Sequence, residues 1–231
     1  MIIHGFSSLR GEERLKLLVE KIKKELPEEK IIIPNYLECY SKLGIIMAGK
    51  KSIDEYADIF KKIIEREKTN EPLLLIGYSL GGLITRVLVE KLGVNARAII
   101  LVGTPNKGVK LNRWEKLLGN MLKRPIVEEM LPDSQFLNNL NENYEKLTLQ
   151  TRYYLLAGSK DKRVPPWSAL GTEFIKSSGI FIGSTDHSGL VPKKSKSTPT
   201  AIDVIIQILK KEEAGFPSAS FLFTPLEILH S

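Results

Sequence analysis

The stretch LLLIGYSLGGLITRVLV, residues 73–89, decides the fold because it joins two apolar patterns of different period. Up to Ile76 the residues are continuously apolar, as in a strand that is buried on both faces of a parallel sheet. After Ser79 the apolar residues recur three and four positions apart, which predicts an amphipathic helix. A buried strand that runs directly into a helix is typical of an α/β sheet with crossover helices.

The rest of the chain repeats this alternation of short apolar runs and amphipathic segments. Strands are expected at 1–5, 30–36, 72–77, 97–105, 152–159 and 179–183, and helices at 11–26, 52–67, 80–93 and 198–213. The pattern predicts an α/β fold with a mostly parallel sheet of about six strands and helices on both faces.

Two segments depart from this rhythm. Residues 106–149 are polar and helix-leaning, with apolar anchors such as Trp114 and with Pro125 and Pro132 as breakers. An insertion of this length between two strands predicts a small helical lid or cap over one edge of the sheet. Residues 214–231 carry few charges and no helical period, so they are expected to be an apolar tail appended to a domain at 1–213.

Composition excludes several classes of function. The 231 residues suit one domain, and their net charge of +7 arises from Lys and Glu interspersed on helical faces, which does not favour nucleic-acid binding. No apolar run approaches the roughly 18–20 residues of a membrane span, and the N-terminus does not resemble a signal peptide. The single cysteine, Cys39, excludes an internal disulfide and fits a cytoplasmic location. Without a Cys/His cluster, a zinc site is not expected.

The serine between two glycines is the candidate nucleophile. In a Gly-x-Ser-x-Gly turn the small outer residues relieve the crowding of a sharp strand-to-helix bend, and the hydroxyl projects from the top of the sheet. Residues 77–81 have this pattern, with an apolar strand before them and a helix after them. Ser79 is therefore predicted to attack a substrate; the alternative is that it merely caps the helix.

A serine nucleophile needs a base, and the chain has three histidines. His187 follows the last predicted strand in a loop of small residues, so it should lie at the same sheet edge as Ser79. His4 precedes the serine, after the first strand, and His230 is in the tail. His187 is the predicted base, with a loop histidine of no role as the alternative.

The acid that orients this base is predicted to be Asp161, which directly follows the strand at 152–159. Asp133 lies in the predicted lid, and Asp186 should point away from the neighbouring imidazole in an extended loop. The alternative for Asp161 is an Asx turn in a polar loop.

The stretch HGF, residues 4–6, is the candidate oxyanion loop. A flexible Gly5 would let the backbone N–H of Phe6 face the serine and act with that of Leu80 as an oxyanion hole. His4 is then expected to hold the loop by a side-chain hydrogen bond.

Taken together, these motifs resemble the α/β-hydrolase family, and within it the lipase and esterase branch. HGF is similar to its oxyanion loop, IGYSLGG to its nucleophile elbow, LVGTPNKG to a segment found after the next strand, and GSKDKRVP and DHSGLVP to its acid and histidine loops. The resemblance covers residues 1–213 and implies a minimal version of the fold, because only Met1, Ile2 and Ile3 precede His4. Either the natural chain starts earlier, or the first strand is shortened. The tail has no counterpart.

The resulting hypothesis is a serine carboxylic-ester hydrolase, an esterase or a lipase, that needs no metal or organic cofactor. Phe6 and Tyr78 are the predicted substrate contacts, and a small ester or lipid is the predicted substrate. Thioesterase, acyltransferase and peptidase activities would use the same residues, and a catalytically weak binding module is a further alternative. Lys193, Lys194 and Lys196 could contact an anionic lipid surface or simply form a solvated loop. The sequence does not predict the oligomeric state.

Overall fold

The computed structural model describes residues 1–5, 11–34, 51–67, 71–110, 125–146, 151–171, 179–192 and 200–214. Within these ranges a single sheet has five strands, in the order in which they occur along the chain. They are β1 (Ile2–Ile3), β2 (Leu73–Tyr78), β3 (Ala96–Val102), β4 (Arg152–Gly158) and β5 (Gly179–Gly183). Each neighbouring pair is parallel, so the predicted parallel α/β sheet is confirmed.

Eight helices accompany the sheet in the described ranges. They are α1 (Gly11–Glu25), α2 (Ile53–Arg66), α3 (Leu80–Glu90), α4 (Pro125–Glu129), α5 (Gln135–Lys146), α6 (Pro166–Leu170), α7 (His187–Leu190) and α8 (Ala201–Glu213). The strands connect to one another through these helices, because a parallel pair cannot be joined by a tight hairpin.

Helices cover both faces of the sheet, as expected. One buried cluster joins α2 and α3 to side chains such as Leu75, Ile99 and Leu155 on the first face. A second cluster joins α1 and α8 to the alternate side chains of the same strands, among them Ile76 and Ile100. Successive strand residues point to opposite faces, so a continuous apolar run fills both clusters at once.

The strand predicted at 30–36 is not formed over residues 30–34, and residues 35 and 36 lie outside the described residues. Residues 31–34, where a strand was predicted, form no ladder, although the Ile2 N–H donates to the Ile32 carbonyl oxygen at 2.8 Å. Because β1 has two residues, it has few backbone N–H and C=O groups with which a further strand could pair. The first strand is therefore as short as the sequence implied.

The predicted lid is described in part. The helices α4 and α5 lie within 106–149, and Ile126, Leu137 and Leu140 are buried in the first cluster. Residues 111–124, including Trp114, lie outside the described residues, as do 215–231 of the predicted tail. The division into domain, lid and tail stays a prediction.

Among the helices of the described ranges, none has both the length and the apolar composition that a bilayer crossing requires.

Candidate active site

Ser79 occupies a strained turn between β2 and α3. Its backbone has φ 55° and ψ −124°, and among the described residues only Asp133 shares a positive φ without being glycine. The Ser79 N–H donates to the Val102 carbonyl oxygen of β3 at 2.8 Å, which ties the turn to the sheet. Strain of this kind persists only where the surroundings impose it, and it is concentrated at functional positions.

The Ser79 hydroxyl does not cap α3. A serine at this position normally accepts a hydrogen bond from a backbone N–H in the first turn, but the Ser79 side chain makes no such bond. The simple alternative of a capping serine therefore fails, and the hydroxyl is directed elsewhere.

Two glycines allow the elbow to pack tightly. A Cβ atom on Gly81 would lie 2.1 Å from the Ile3 carbonyl oxygen, and one on Gly82 would lie 1.8 Å from the Thr104 Oγ1 atom. Both distances are far below van der Waals contact. The start of α3 can approach β1 and the loop after β3 because these residues lack side chains.

A continuous chain of hydrogen bonds joins the three predicted catalytic residues. The Ser79 Oγ atom lies 3.0 Å from His187 Nε2, and His187 Nδ1 lies 2.6 Å from Asp161 Oδ2. When the carboxylate accepts the Nδ1 proton, Nε2 is left to accept the proton of the serine hydroxyl. The structure thus brings together residues that are 26 and 108 positions apart in the sequence.

Asp161 is held by its own loop. Its Oδ1 atom accepts the backbone N–H groups of Arg163 at 2.9 Å and Val164 at 2.8 Å, and its side chain is fully buried. The predicted alternative of an Asx turn is therefore present as well. One oxygen shapes the loop and the other faces the imidazole, so the turn fixes the direction of the carboxylate.

Asp186 has a different task, as its position in the sequence suggested. It caps α7, and its Oδ1 atom accepts the Gly189 N–H at 2.8 Å and the Ser188 hydroxyl at 3.0 Å. His187 is the first residue of that short helix. The cap therefore fixes the backbone from which the imidazole projects.

Tyr78 supports the histidine from the strand side. Its ring stacks on the His187 ring with centroids 5.2 Å apart, and its hydroxyl donates to the His187 carbonyl oxygen at 2.9 Å. Its side chain is only 4% exposed. A substrate contact by Tyr78 stays a prediction, whereas its contact with His187 makes it a positioning residue.

Replacing Tyr78 by phenylalanine is expected to lower kcat about fivefold and leave KM unchanged. The ring stays in place, and the change removes the hydrogen bond from the hydroxyl to the backbone of His187, which is worth about 1 kcal/mol. Steady-state kinetics on one soluble ester tests this. A raised KM with unchanged kcat would instead assign Tyr78 to substrate binding.

The structure describes part of the predicted oxyanion hole, namely residues 4 and 5 of the loop after β1 and Leu80. A Cβ atom on Gly5 would lie 2.9 Å from Ser79 Cβ, so the loop after β1 runs against the nucleophile. His4 is buried, and its Nδ1 atom lies 2.8 Å from the Gly5 carbonyl oxygen. Leu80 begins α3, where backbone N–H groups lack partners within a helix. Phe6 lies outside the described residues, so the oxyanion hole of Phe6 and Leu80 stays a prediction.

Comparison with known proteins assigns the family. The sequence profile described as palmitoyl protein thioesterase matches residues 1–121, which include the oxyanion loop and the nucleophile elbow. The chain belongs to the palmitoyl protein thioesterase family. No curated protein sequence matches the chain closely enough to add to this assignment.

Solved structures agree on the fold of this family member. A meta-cleavage product hydrolase from Pseudomonas fluorescens superposes with a TM-score of 0.63 at 14% identity, covering 91% of this chain and 90% of that one. A monoacylglycerol lipase from Paleococcus ferrophilus has a TM-score of 0.61 at 17% identity, with 93% of both chains covered. An α/β hydrolase from the metagenome of lagoon sediments at Mar Chica, Morocco, has a TM-score of 0.62 at 18% identity, covering 93% of this chain and 91% of that one. The family match, with which this shared fold agrees, makes the chain a hydrolase of the α/β-hydrolase superfamily.

A buried ion pair that we did not expect from the sequence lies behind the site of this thioesterase-family chain. The Arg86 and Glu90 side chains are 0% exposed, and two hydrogen bonds of 2.8 and 3.0 Å join them on α3. Charges four residues apart on a helix usually mark a solvated face. The signal available in the sequence was that α3 is apolar almost all round, which is typical of a helix with no solvated face.

This ion pair joins α3 to α5 and to the loop after β3. Arg86 also donates to the side-chain oxygens of Asn141 at 2.8 Å and Asn106 at 3.3 Å, and the Tyr153 hydroxyl donates to Glu90 at 3.1 Å. Burial raises the pKa of the Glu90 carboxyl, while Arg86 and Tyr153 oppose that rise. The nucleophile helix is thereby fixed to the elements that flank the site.

No group of three or more His, Cys, Asp or Glu side chains that could hold a metal ion occurs within the described ranges.

Proposed function

We propose that this chain is a serine hydrolase that cleaves carboxylic esters through an acyl-enzyme on Ser79. The observation that carries the proposal is the chain of hydrogen bonds from the Ser79 hydroxyl through His187 to Asp161. The strained backbone of Ser79 and the absence of a capping bond support it, because both direct the hydroxyl toward the imidazole.

In the first half of the reaction Ser79 Oγ attacks the ester carbonyl carbon while His187 Nε2 accepts the hydroxyl proton. The Asp161 carboxylate stabilises the resulting imidazolium through Nδ1–H. The carbon–oxygen bond of the leaving group then breaks, and His187 returns its proton to the departing alkoxide. In the second half a water molecule attacks the acyl-enzyme by the same steps, which releases the carboxylic acid and restores the serine.

Negative charge develops on the carbonyl oxygen during each attack. The backbone N–H of Leu80, at the start of α3, is one proposed donor to this oxyanion, and that of Phe6 is the other. The helix dipole of α3 adds to the stabilisation because its positive end faces the serine. Phe6 and Tyr78 are the proposed contacts of a small ester or lipid substrate.

Thioester hydrolysis is the second candidate, and the family assignment favours it. A thiol of pKa about 8.5 is a better leaving group than an alcohol, so expulsion depends less on proton donation by His187. The attack by Ser79 is the same in both reactions. Two substrates that differ only in this one atom therefore separate the two candidates.

A fluorophosphonate probe is expected to label Ser79, as located by peptide mass spectrometry. Only a serine activated by a base reacts with such a probe. An oxygen ester and a thioester of the same acyl chain are then compared by kcat/KM. A higher value for the thioester assigns thioesterase activity, and a higher value for the oxygen ester assigns esterase activity. Folded protein that resists the probe would support the binding-module alternative and contradict the proposal.

A further inference from the structure

Two loops beside the candidate active site contain five basic residues and one acidic residue. Residues 103–110 follow β3 and contain Lys107 and Lys110, and residues 159–171 follow β4 and contain Lys160, Lys162 and Arg163. We call these five cations the basic face. The one acidic residue in the two loops is Asp161, whose buried carboxylate is directed at His187.

Hydrogen bonds fasten the two loops into one surface. The Lys110 N–H donates to the Arg163 carbonyl oxygen at 2.9 Å, and the buried Ser168 hydroxyl donates to the Gly108 carbonyl oxygen at 2.6 Å. The Asn106 side chain donates to the Ala169 carbonyl oxygen at 2.7 Å. Because Asn106 also accepts from buried Arg86, this surface is anchored to α3.

The charges on this surface face solvent. Lys110, Lys160, Lys162 and Arg163 are exposed, and Lys107 is partly exposed. An open pocket of about 540 Å³ beside His187 is lined by Lys160, Lys162 and Arg163. Asp133 and Asp186 are exposed acids on adjoining segments, and Asp186 is engaged in the cap of α7.

An exposed tryptophan accompanies the charges. Trp167, on α6, is 49% exposed, and α6 belongs to the second of the two loops. A large aromatic side chain is costly to leave in water, but it is favoured at the headgroup level of a bilayer, where its ring is buried and its N–H is hydrated. A basic surface is drawn to the same place by anionic lipids.

We propose that the basic face docks on an anionic membrane surface, with Trp167 inserted at the headgroup level. A phosphate ion in solution would account for the cations but not for the exposed tryptophan. An anionic bilayer accounts for both. The basic face follows β3 and β4 and so lies at the sheet edge that carries Ser79 and His187, and docking would bring that edge close to lipids of the bilayer. Lys193, Lys194 and Lys196, which the sequence suggested for this role, lie outside the described residues. The proposal concerns binding and stands whether or not Ser79 is the nucleophile.

The first test measures binding of Ser79→Ala protein to sedimented vesicles, so that hydrolysis does not change the lipid. Vesicles of phosphatidylcholine with 30% phosphatidylserine, a test composition, are compared with vesicles of phosphatidylcholine alone. One lysine near an anionic surface contributes about fivefold to partitioning, so Lys110, Lys160 and Lys162 replaced together by glutamine should weaken binding to the anionic vesicles about 100-fold. Raising the salt to 1 M should have a similar effect.

A control with the same change of charge separates this surface from the net charge of +7. Lys23, Lys24 and Lys62 are exposed on α1 and α2. Ile22 and Leu26, which neighbour Lys23 and Lys24, line a pocket with Met1 and Leu73 at the strand starts. Lys61, next to Lys62, donates to the Leu92 carbonyl oxygen shortly before the start of β3, so the control positions lie toward the opposite sheet edge. Glutamine at these three positions should change binding by less than about threefold. Equal loss in the two triple variants, or equal binding to both vesicle types, would overturn the proposal.

The second test follows Trp167 itself. The chain has two tryptophans, so Trp114→Phe leaves Trp167 as the sole indole emitter. Its emission should shift to shorter wavelength when anionic vesicles are added, and Trp167→Phe should weaken vesicle binding. An unchanged emission spectrum in folded Trp114→Phe protein overturns the insertion of Trp167. Inhibition of ester turnover by pyrophosphate without any vesicle binding overturns the membrane assignment in favour of a phosphate subsite.

Discussion

Replacing Ser79 by alanine is expected to lower kcat on the order of 10⁶-fold and to leave the fold intact. Removal of the serine of a comparable triad has an effect of this size, because the remaining groups cannot form the acyl-enzyme. The substitution deletes one oxygen that makes no structural cap, so its effect on the free energy of unfolding should be small. Turnover of a nitrophenyl ester, together with urea unfolding of the same preparation, measures both quantities.

Ser188→Ala is the matched control for this prediction. Ser188 follows the histidine directly, and its hydroxyl donates at 3.0 Å to Asp186, which is not a member of the candidate triad. Its loss should change kcat by less than about tenfold, because one exposed hydrogen bond is worth about 1 kcal/mol. Substantial ester turnover in folded Ser79→Ala protein would contradict the assigned nucleophile.

Replacing Arg86 by methionine is expected to lower the free energy of unfolding by about 3–5 kcal/mol. Removal of one partner leaves the carboxylate of Glu90 buried without its counter-charge, and breaking a buried pair has a cost of this size. The oxygens of Asn106 and Asn141 also lose a donor. Urea unfolding at constant pH measures the change, and the unfolding midpoint should fall with little change in slope.

A double replacement tests whether the cost arises from the ion pair. Arg86→Met with Glu90→Leu removes both charges, so its destabilisation should be smaller than the sum of the two single changes by about 1–3 kcal/mol. Simple additivity would show that the two side chains act separately, contrary to the bidentate contact.

The pH dependence of the single variant follows from Glu90. Burial raises the pKa of this carboxyl and Arg86 lowers it, so loss of Arg86 leaves the folded-state pKa further above the unfolded value. Such a group favours the folded state below its unfolded pKa, and this contribution is lost as pH rises through the folded pKa. The deficit of Arg86→Met relative to the unaltered protein should therefore be smaller at pH 5 than at pH 8.

Much of the sheet could be predicted because its signal is local. Each strand from β2 to β4 is a short, continuous apolar run, and burial on both faces of a parallel sheet requires such a run. The prediction was less successful at residues 30–34, where β-branched residues with strand propensity suggested a strand. These residues form no ladder in the structure because strand pairing depends on the neighbouring strand, and β1 has only two residues with which they could pair.

The candidate triad could be chosen for a similar reason. The elbow around Ser79 is a local motif, the chain has three histidines, and Asp161 follows a predicted strand. Parallel strands end at one edge, so residues just after their carboxyl ends can meet across long sequence separations. Arg86 could not be found in this way, because a charge four residues from its partner on a helix is usually solvated.

By itself the sequence determined the alternation of the main strands and helices, the elbow and the short set of residues that could serve it, since propensity and apolar period are properties of neighbouring residues. Tertiary structure alone decided that the Ser79 hydroxyl lies 3.0 Å from the imidazole rather than on the helix end. The burial of Arg86 with Glu90, and the hydrogen bonding of two separate loops into the basic face, were likewise visible only in the tertiary structure. These features depend on distances and burial between segments far apart in the chain, which arise only when the core is packed.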